Sequence, residues 1–267
     1  MQRWRVDDEL ASDLGDVHRV VVRIVAGEVT ITAGKSARVE VRRESGSAVD
    51  VHHHDGVVQV SQPDTDMSPL ERFLSWFAEG RRHRCTVAIT APPDSVVDVT
   101  TVSAGVVVSG IGSGTRVKTV SGDVTLSSLG SRVDVKTVSG EVEAKGINAE
   151  LKLKSVSGDL SVVDGSCRRV DAKSVSGEVM LDLDLDPNGT YDIKTVSGGV
   201  SIRTSAEPDL RVHAKSVSGE VVSDFGLDWN ARPGRRELSD TIGNGGAHLR
   251  VKTVSGDLRV VRGRVAA

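Results

Sequence analysis

The hexapeptide Lys-[Thr/Ser]-Val-Ser-Gly-[Asp/Glu] returns along this chain at a nearly constant step, and a chain held to such a register folds as a stack of like units. Seven close copies run from Lys118 to Asp123, Lys136 to Glu141, Lys154 to Asp159, Lys173 to Glu178, Lys194 to Gly199, Lys215 to Glu220 and Lys252 to Asp257. An eighth, Thr100 to Gly105, is degraded. With the serine as marker, positions 103, 121, 139, 157, 176, 197, 218 and 255 are separated by 18, 18, 18, 19, 21, 21 and 37 residues.

Around each marker the apolar or small residues hold fixed offsets. In one coil they are Thr115, Val117, Thr119, Val120, Val124 and Leu126; in another they are Tyr191, Ile193, Thr195, Val196, Val200 and Ile202. The runs on either side alternate with period two, as a strand with one buried face does. Parity breaks at Val-Ser-Gly, which predicts a corner: glycine permits the backbone angles of a bend, and serine bonds its neighbours. The corner pairs are Ser121 and Gly122, Ser139 and Gly140, Ser157 and Gly158, Ser176 and Gly177, Ser197 and Gly198, Ser218 and Gly219, and Ser255 and Gly256. Eighteen residues at about 3.3 Å each leave room for two or three short strands per coil. Offsets six apart, such as Val120, Leu126 and Arg132, keep no common residue type, which disfavours the left-handed hexapeptide helix.

The predicted fold is therefore all-β: a β-solenoid, or single-stranded β-helix, with coils of about 18–21 residues and one short helix inserted near the N-terminal third. Residues 1–17 form a cap or tail and 18–262 the solenoid, followed by a tail at 263–267. Within the solenoid, 18–108 are degenerate coils: Val20, Val22, Val25, Val29 and Ile31 match the template, and Val39, Val41, Ser45 and Gly46 suggest another worn coil before a strand at Val57 to Val60. Residues 109–223 are regular coils, and 242–262 are the last coil.

Two excursions interrupt the pattern. Ser68-Pro69-Leu70-Glu71 reads as a helix start, with Leu70, Phe73, Leu74 and Phe77 on one face and Gly80 at the end, predicting a helix over 69–79 inserted at 68–80. Leu70, Phe73, Trp76 and Phe77 make it a possible interaction helix, and with Arg81, Arg82, His83 and Arg84 beside it, an interfacial membrane helix is one use. Its shortness favours a lid over the solenoid instead. The 37-residue step predicts a loop insert over 225–241, with a worn extra coil as the other reading.

Composition excludes several classes. A net charge of −3 with both signs dispersed offers no basic footprint for nucleic acid. Cys85 and Cys167 are too few for a disulfide framework and read as reduced small residues. Met1 to Gly15 lacks the apolar core of a secretory signal and no stretch of about 20 apolar residues occurs, so the sequence reads as cytoplasmic. The repeated lysines and acids recur in almost every coil, whereas catalysis needs unlike groups converging once; they are read as register and solubility charges pairing across the corner. His52, His53 and His54 lie beside Asp55 but lack further ligands, and Gly243 to Gly246 read as a turn. No catalytic set, cofactor motif or complete metal site is found.

The repeated Lys-Thr-Val-Ser-Gly-Asp, followed by Val or Leu, resembles a bacterial family of β-strand-repeat proteins labelled a putative adhesin domain of unknown function, over roughly Val20 to Val261. The resemblance implies a β-solenoid and brings no family active site with it. The expectation is a non-enzymatic scaffold or binding module that presents Thr/Ser/Lys/Glu faces to a protein or glycan. The alternatives are self-assembly through open coil ends and, with less support, a carbohydrate-active enzyme. Aromatic residues are scarce, and the acids nearest each other outside the repeats, Asp64 and Asp66, lie beside Pro63.

Overall fold

The computed structural model describes residues 1–62, 83–204, 207–226, 230–232 and 235–263. Every helix or strand among them is a strand, 26 in all, and none is a helix. The helix expected over 69–79, with Leu70, Phe73, Trp76 and Phe77, lies outside the described residues. The chain divides into two compact units, Met1–Gly130 and Ser131–Ala267.

The first unit carries β1 (Gln2–Val6), β2 (Glu9–Asp13), β3 (Arg19–Ile24), β4 (Ala26–Ala33), β5 (Arg38–Ser45), β6 (Val49–His54), β7 (Val57–Ser61), β8 (Arg84–Ala91), β9 (Val96–Thr101), β10 (Gly105–Ser109), β11 (Thr115–Lys118) and β12 (Val124–Ser127). One sheet orders them β1-β6-β7-β3-β9-β11 and the other β2-β5-β8-β4-β10-β12. Each coil gives one strand to each sheet, joined by a corner. The expected coil over Val20 to Ile31 is β3 and β4, with Val20, Val22, Val29 and Ile31 buried.

One N-terminal expectation needs correction. Val39 and Val41 are buried, but they belong to β5, which runs antiparallel to β8 and is no further coil. Residues 1–17 are mostly strand, because β1 and β2 pair antiparallel with β6 and β5. Both sheets thus end on short antiparallel strands dotted with charge, such as Arg3, Arg5, Glu9 and Asp13. These blunt an edge that would otherwise template further pairing.

The second unit carries β13 (Gly130–Lys136), β14 (Val142–Lys145), β15 (Asn148–Lys154), β16 (Leu160–Gly165), β17 (Arg169–Lys173), β18 (Val179–Leu183), β19 (Thr190–Lys194), β20 (Val200–Thr204), β21 (Leu210–Ser216), β22 (Val221–Ser223), β23 (Asn230–Arg232), β24 (Arg235–Ile242), β25 (Ala247–Lys252) and β26 (Leu258–Arg262). Alternation fills the core: Val133, Val135, Leu151, Leu153, Tyr191 and Ile193 point inward from one sheet, and Val142, Leu160, Val179 and Ile202 from the other.

Stack order in this unit departs from sequence order. The sheets read β13-β15-β17-β19-β25-β21-β24-β23 and β14-β16-β18-β20-β26-β22, so the last motif coil, β25 and β26, sits between two earlier ones. The long step is not a loop. It holds the β23–β24 hairpin, and β24 pairs antiparallel with the free edge of β21, opposite β25, from Leu210↔Ile242 to Ser216↔Arg236. Because every motif coil presents the same ladder, β25 fits between β19 and β21 with parallel pairing on both sides.

Candidate functional site

The motif residues form a corner with a division of labour. In the second unit, Thr137, Ser155, Ser174, Thr195, Ser216 and Thr253 are buried, and the valine and serine that follow turn outward before the glycine turns back in. The buried hydroxyl closes the turn. The N–H of Gly140, Gly177, Gly219 and Gly256 donates to the hydroxyl of the residue three before it at 3.0, 3.0, 2.9 and 2.9 Å. Ser121 and Gly122 make the same turn in the first unit, where the Gly122 N–H donates to Thr119 Oγ1 at 3.0 Å.

Glycine serves here for a reason other than the one expected. None of the motif glycines lies at positive φ. Their missing side chain instead allows close stacking: a Cβ would fall 2.0 Å from Gly140 O at Gly158, 2.1 Å from Gly158 O at Gly177, 2.0 Å from Gly177 O at Gly198, 2.0 Å from Gly198 O at Gly256 and 1.9 Å from Gly256 O at Gly219. Serine N–H groups complete the column. Those of Ser157, Ser176, Ser197, Ser255 and Ser218 donate to the carbonyls of Val138, Val156, Val175, Val196 and Val254 at 2.8–3.0 Å.

The flanking charges also depart from expectation. The ion pairs that the motif lysines make lead away from the motif acids. Lys173 pairs with Asp171 of its own strand at 3.2 Å, and Lys215 with Glu237 of β24 at 2.8 Å. The acids cap backbone instead: Asp159 Oδ1 accepts the Glu178 N–H and Asp257 Oδ1 the Glu220 N–H, each at 2.8 Å. Lys154, Lys194 and Lys252 lie in one column, since Lys154 pairs in register with Lys173, Lys173 with Lys194, and Lys194 with Lys252.

The sequence reading missed the outer face of the sheet that holds these lysines. In the first unit a groove of about 210 Å³ is lined by Arg19, Arg23, Asp98, Thr100, Arg116 and Lys118. Asp98 binds both Arg19 and Arg116, the latter at 2.9 Å, which leaves Arg23 and Lys118 on either side of Thr100. In the second unit a groove of about 360 Å³ carries Arg132, Lys152, Arg169 and Lys194 among Glu150, Asp171 and Asp192. Strand alternation puts these residues outside, but only the ladder register shows which of them meet.

The other candidates are structural. His53 is held between Gln2 Oε1 at 3.3 Å and the Asp16 carbonyl at 3.1 Å, His54 pairs with Asp55 at 3.2 Å, and the described residues hold no group of three metal-ligating side chains. Cys85 and Cys167 are free and buried. Burial pushes the Cys85 thiol up to about 12 and the Cys167 thiol upward, so neither is a ready nucleophile. Tyr191, the one tyrosine, is also buried; burial pushes its phenol up to about 12, while its hydroxyl donates to Cys167 O at 2.7 Å and accepts the Asp186 N–H at 2.8 Å. Gly243 and Gly245, at φ of 60° and 68°, make the expected turn. No helix of the described residues is long and apolar enough to cross a membrane.

Comparison with known proteins agrees with this architecture. A putative lipid binding protein from Parabacteroides distasonis is 13% identical over 97% of this chain and 98% of its own, with a TM-score of 0.55, and so shares the fold. A putative adhesin from Bacteroides fragilis is 12% identical over 95% of this chain and 97% of its own, with a TM-score of 0.48. A second putative adhesin, from Parabacteroides distasonis, is 12% identical over 96% and 98%, with a TM-score of 0.47. No curated protein matches the chain. The family model described as Toastrack DUF4097 matches residues 17–261, and the chain belongs to that family.

Proposed function

We propose that this protein is a non-enzymatic, adhesin-like binding module whose outer sheet faces engage a protein or glycan partner by charge pairing. The observation that carries this reading is the outer face of the lysine-bearing sheet. There, rows of both charge signs lie in ladder register beside grooves of about 210 and 360 Å³. Rows repeating at about 4.8 Å suit an extended partner that makes many equivalent contacts, each weak and together sufficient. The grooves hold no aromatic platform for a neutral sugar, which favours a charged partner. Against catalysis stand the buried thiols and the repetition of the acids and lysines coil after coil.

The test is a paired screen, a glycan array and a pull-down at low and high salt, with the wild type and with R23E/K118E and K152E/K194E. The reading expects a ligand whose capture falls several-fold in at least one variant and falls again with salt, as exposed charge contacts do. Capture that ignores both groove variants and salt would refute it, and so would turnover of a captured glycan.

A further inference from the structure

In the second unit, Val138, Val156, Val175, Val196, Val254 and Val217 of the motif are 44–51% exposed. Beyond them the only large apolar side chains exposed on this unit's described residues are Met180 and Val222, so its exposed apolar surface is gathered on one line. The serine N–H to valine carbonyl bonds place the six consecutively along the corner, over about 24 Å at about 4.8 Å per coil. The serines beside them add little polarity, because the hydroxyls of Ser176, Ser197, Ser218 and Ser255 donate to the valine carbonyls of the neighbouring coil at 3.2–3.4 Å. Packing does not require valine here: threonine is also β-branched and equally suited to an exposed strand end. Six half-exposed valines amount to roughly 400 Å² of apolar surface, the size of the largest patch on a typical monomer, which is often functional.

The chemistry flanking the ridge selects the occupant. Across the corner the order is lysine, valine, serine, acid, with Lys154 and Lys252 unpaired among the described residues and Asp159 and Asp257 exposed beyond the turn. A surface with cations on one side of an apolar line and anions on the other is complementary to itself under one rotation. A two-fold axis along the ridge lays each copy's lysine column over the other's acid column, and an axis across the ridge lays lysine on lysine. Because the first rotation involves no shift along the axis, residues of the same coil meet. Lys154 then faces Asp159 of the second copy and Lys252 faces Asp257 of the second copy.

We propose that the valine ridge is a self-association surface through which two copies pair side by side, about a two-fold axis parallel to the stack. The ridge supplies about half of the roughly 800 Å² per partner of a standard interface, and the charged columns the remainder, which suits a weak dimer with a dissociation constant on the order of micromolar. The lysine column is shared with the grooved sheet, where Lys194 lines the groove, but the valine ridge is not, so the valine variant tests this interface apart from the partner reading above.

Sedimentation equilibrium from about 1 to about 500 µM tests it, with far-ultraviolet circular dichroism confirming that every variant is folded. The wild type is expected to shift from monomer to dimer, and V175D/V196D to weaken the dimer by more than about tenfold. K154E/K252E and D159K/D257K are each expected to be monomeric alone, since like charges then face each other, and to form a heterodimer when mixed one to one. A wild type that stays monomeric throughout overturns the proposal. So does a valine variant that associates like the wild type, or a charge-reversed pair that fails to recover dimer on mixing.

Discussion

Substituting Gly177 by alanine tests whether the corner glycine is held by close approach or by backbone angle. A methyl at Gly177 would lie 2.1 Å from Gly158 O and 2.7 Å from its carbonyl carbon, where ordinary contact begins near 3.4 Å. The two coils must therefore separate locally by more than an ångström. Relief from the far side is blocked, because Gly198 packs on the Gly177 carbonyl with the same closeness, 2.0 Å to a would-be Cβ. Separation also stretches the Ser176 N–H bond to Val156 O, 2.9 Å, which joins the same two coils. Overpacking at about 1–3 kcal/mol, plus one weakened bond at about 1 kcal/mol, gives a cost of about 2–4 kcal/mol. For a chain of this size that lowers the melting temperature by roughly 10 °C. The control is G199A, one residue past the corner glycine of the next coil, whose Cβ would have no heavy atom nearer than 3.8 Å and which is not at positive φ. It should be neutral or gain up to about 1 kcal/mol through the unfolded chain. Thermal melts followed by circular dichroism compare the two, and a G177A melt within about 2 °C of both G199A and wild type would refute the close-approach argument.

Replacing Thr137 with valine removes the buried acceptor of the Gly140 N–H while keeping the shape, at an expected cost of about 1–3 kcal/mol in urea denaturation; T137S should recover most of it. Alkaline pH should destabilise the fold, because burial holds the Cys85 thiol and Tyr191 phenol neutral up to about 12, above their ordinary values of 9.0 and 10.0. Below pH 9 neither group ionises in either state and the stability is fully present. As pH rises from 9 toward 12 the unfolded chain loses these protons first and stability falls, by up to a few kcal/mol per group. Melting temperature against pH should decline through this window, and Y191F should flatten the part above pH 10.

The coil was readable because its two alternating runs carry the core: Val133, Val135 and Val142 are buried where period two places them. The role of the corner was only half readable. Parity located the break, but it could not distinguish a glycine needed for its angles from one needed for its size, since that depends on the neighbouring coil's carbonyl. Stack order was hidden for a related reason. The ladder of the Ser255 coil is as compatible with that of Ser197 as the Ser218 coil is, so identical repeats carry no label for who neighbours whom. Val39 and Val41 matched the template in the same way. Alternation marks a buried face without marking strand direction, and β5 runs antiparallel. The grooves could not be read at all from one coil, because Arg19, Asp98 and Arg116 are brought together by register across three strands, one of them far from the other two in sequence.

Once the corner is resolved, the motif separates into what the fold uses and what it leaves over. The threonine or serine hydroxyl caps the turn, the outward serine binds the neighbouring coil, the glycine permits the approach, and the aspartates at 159 and 257 cap the backbone of the next coil. Each of these four positions is explained by a hydrogen bond or a distance. Lysine and valine are not: Lys154, Lys194 and Lys252 make no ion pair among the described residues, and the valine side chains stand half in water. A structural requirement should tolerate any soluble residue at such positions, yet the same two residue types recur in all six motif coils of the second unit. Repetition that the packing does not demand is where binding is to be sought. The two readings it supports, a charged face for a partner and an apolar ridge for a second copy, share the lysine column and part at the valine.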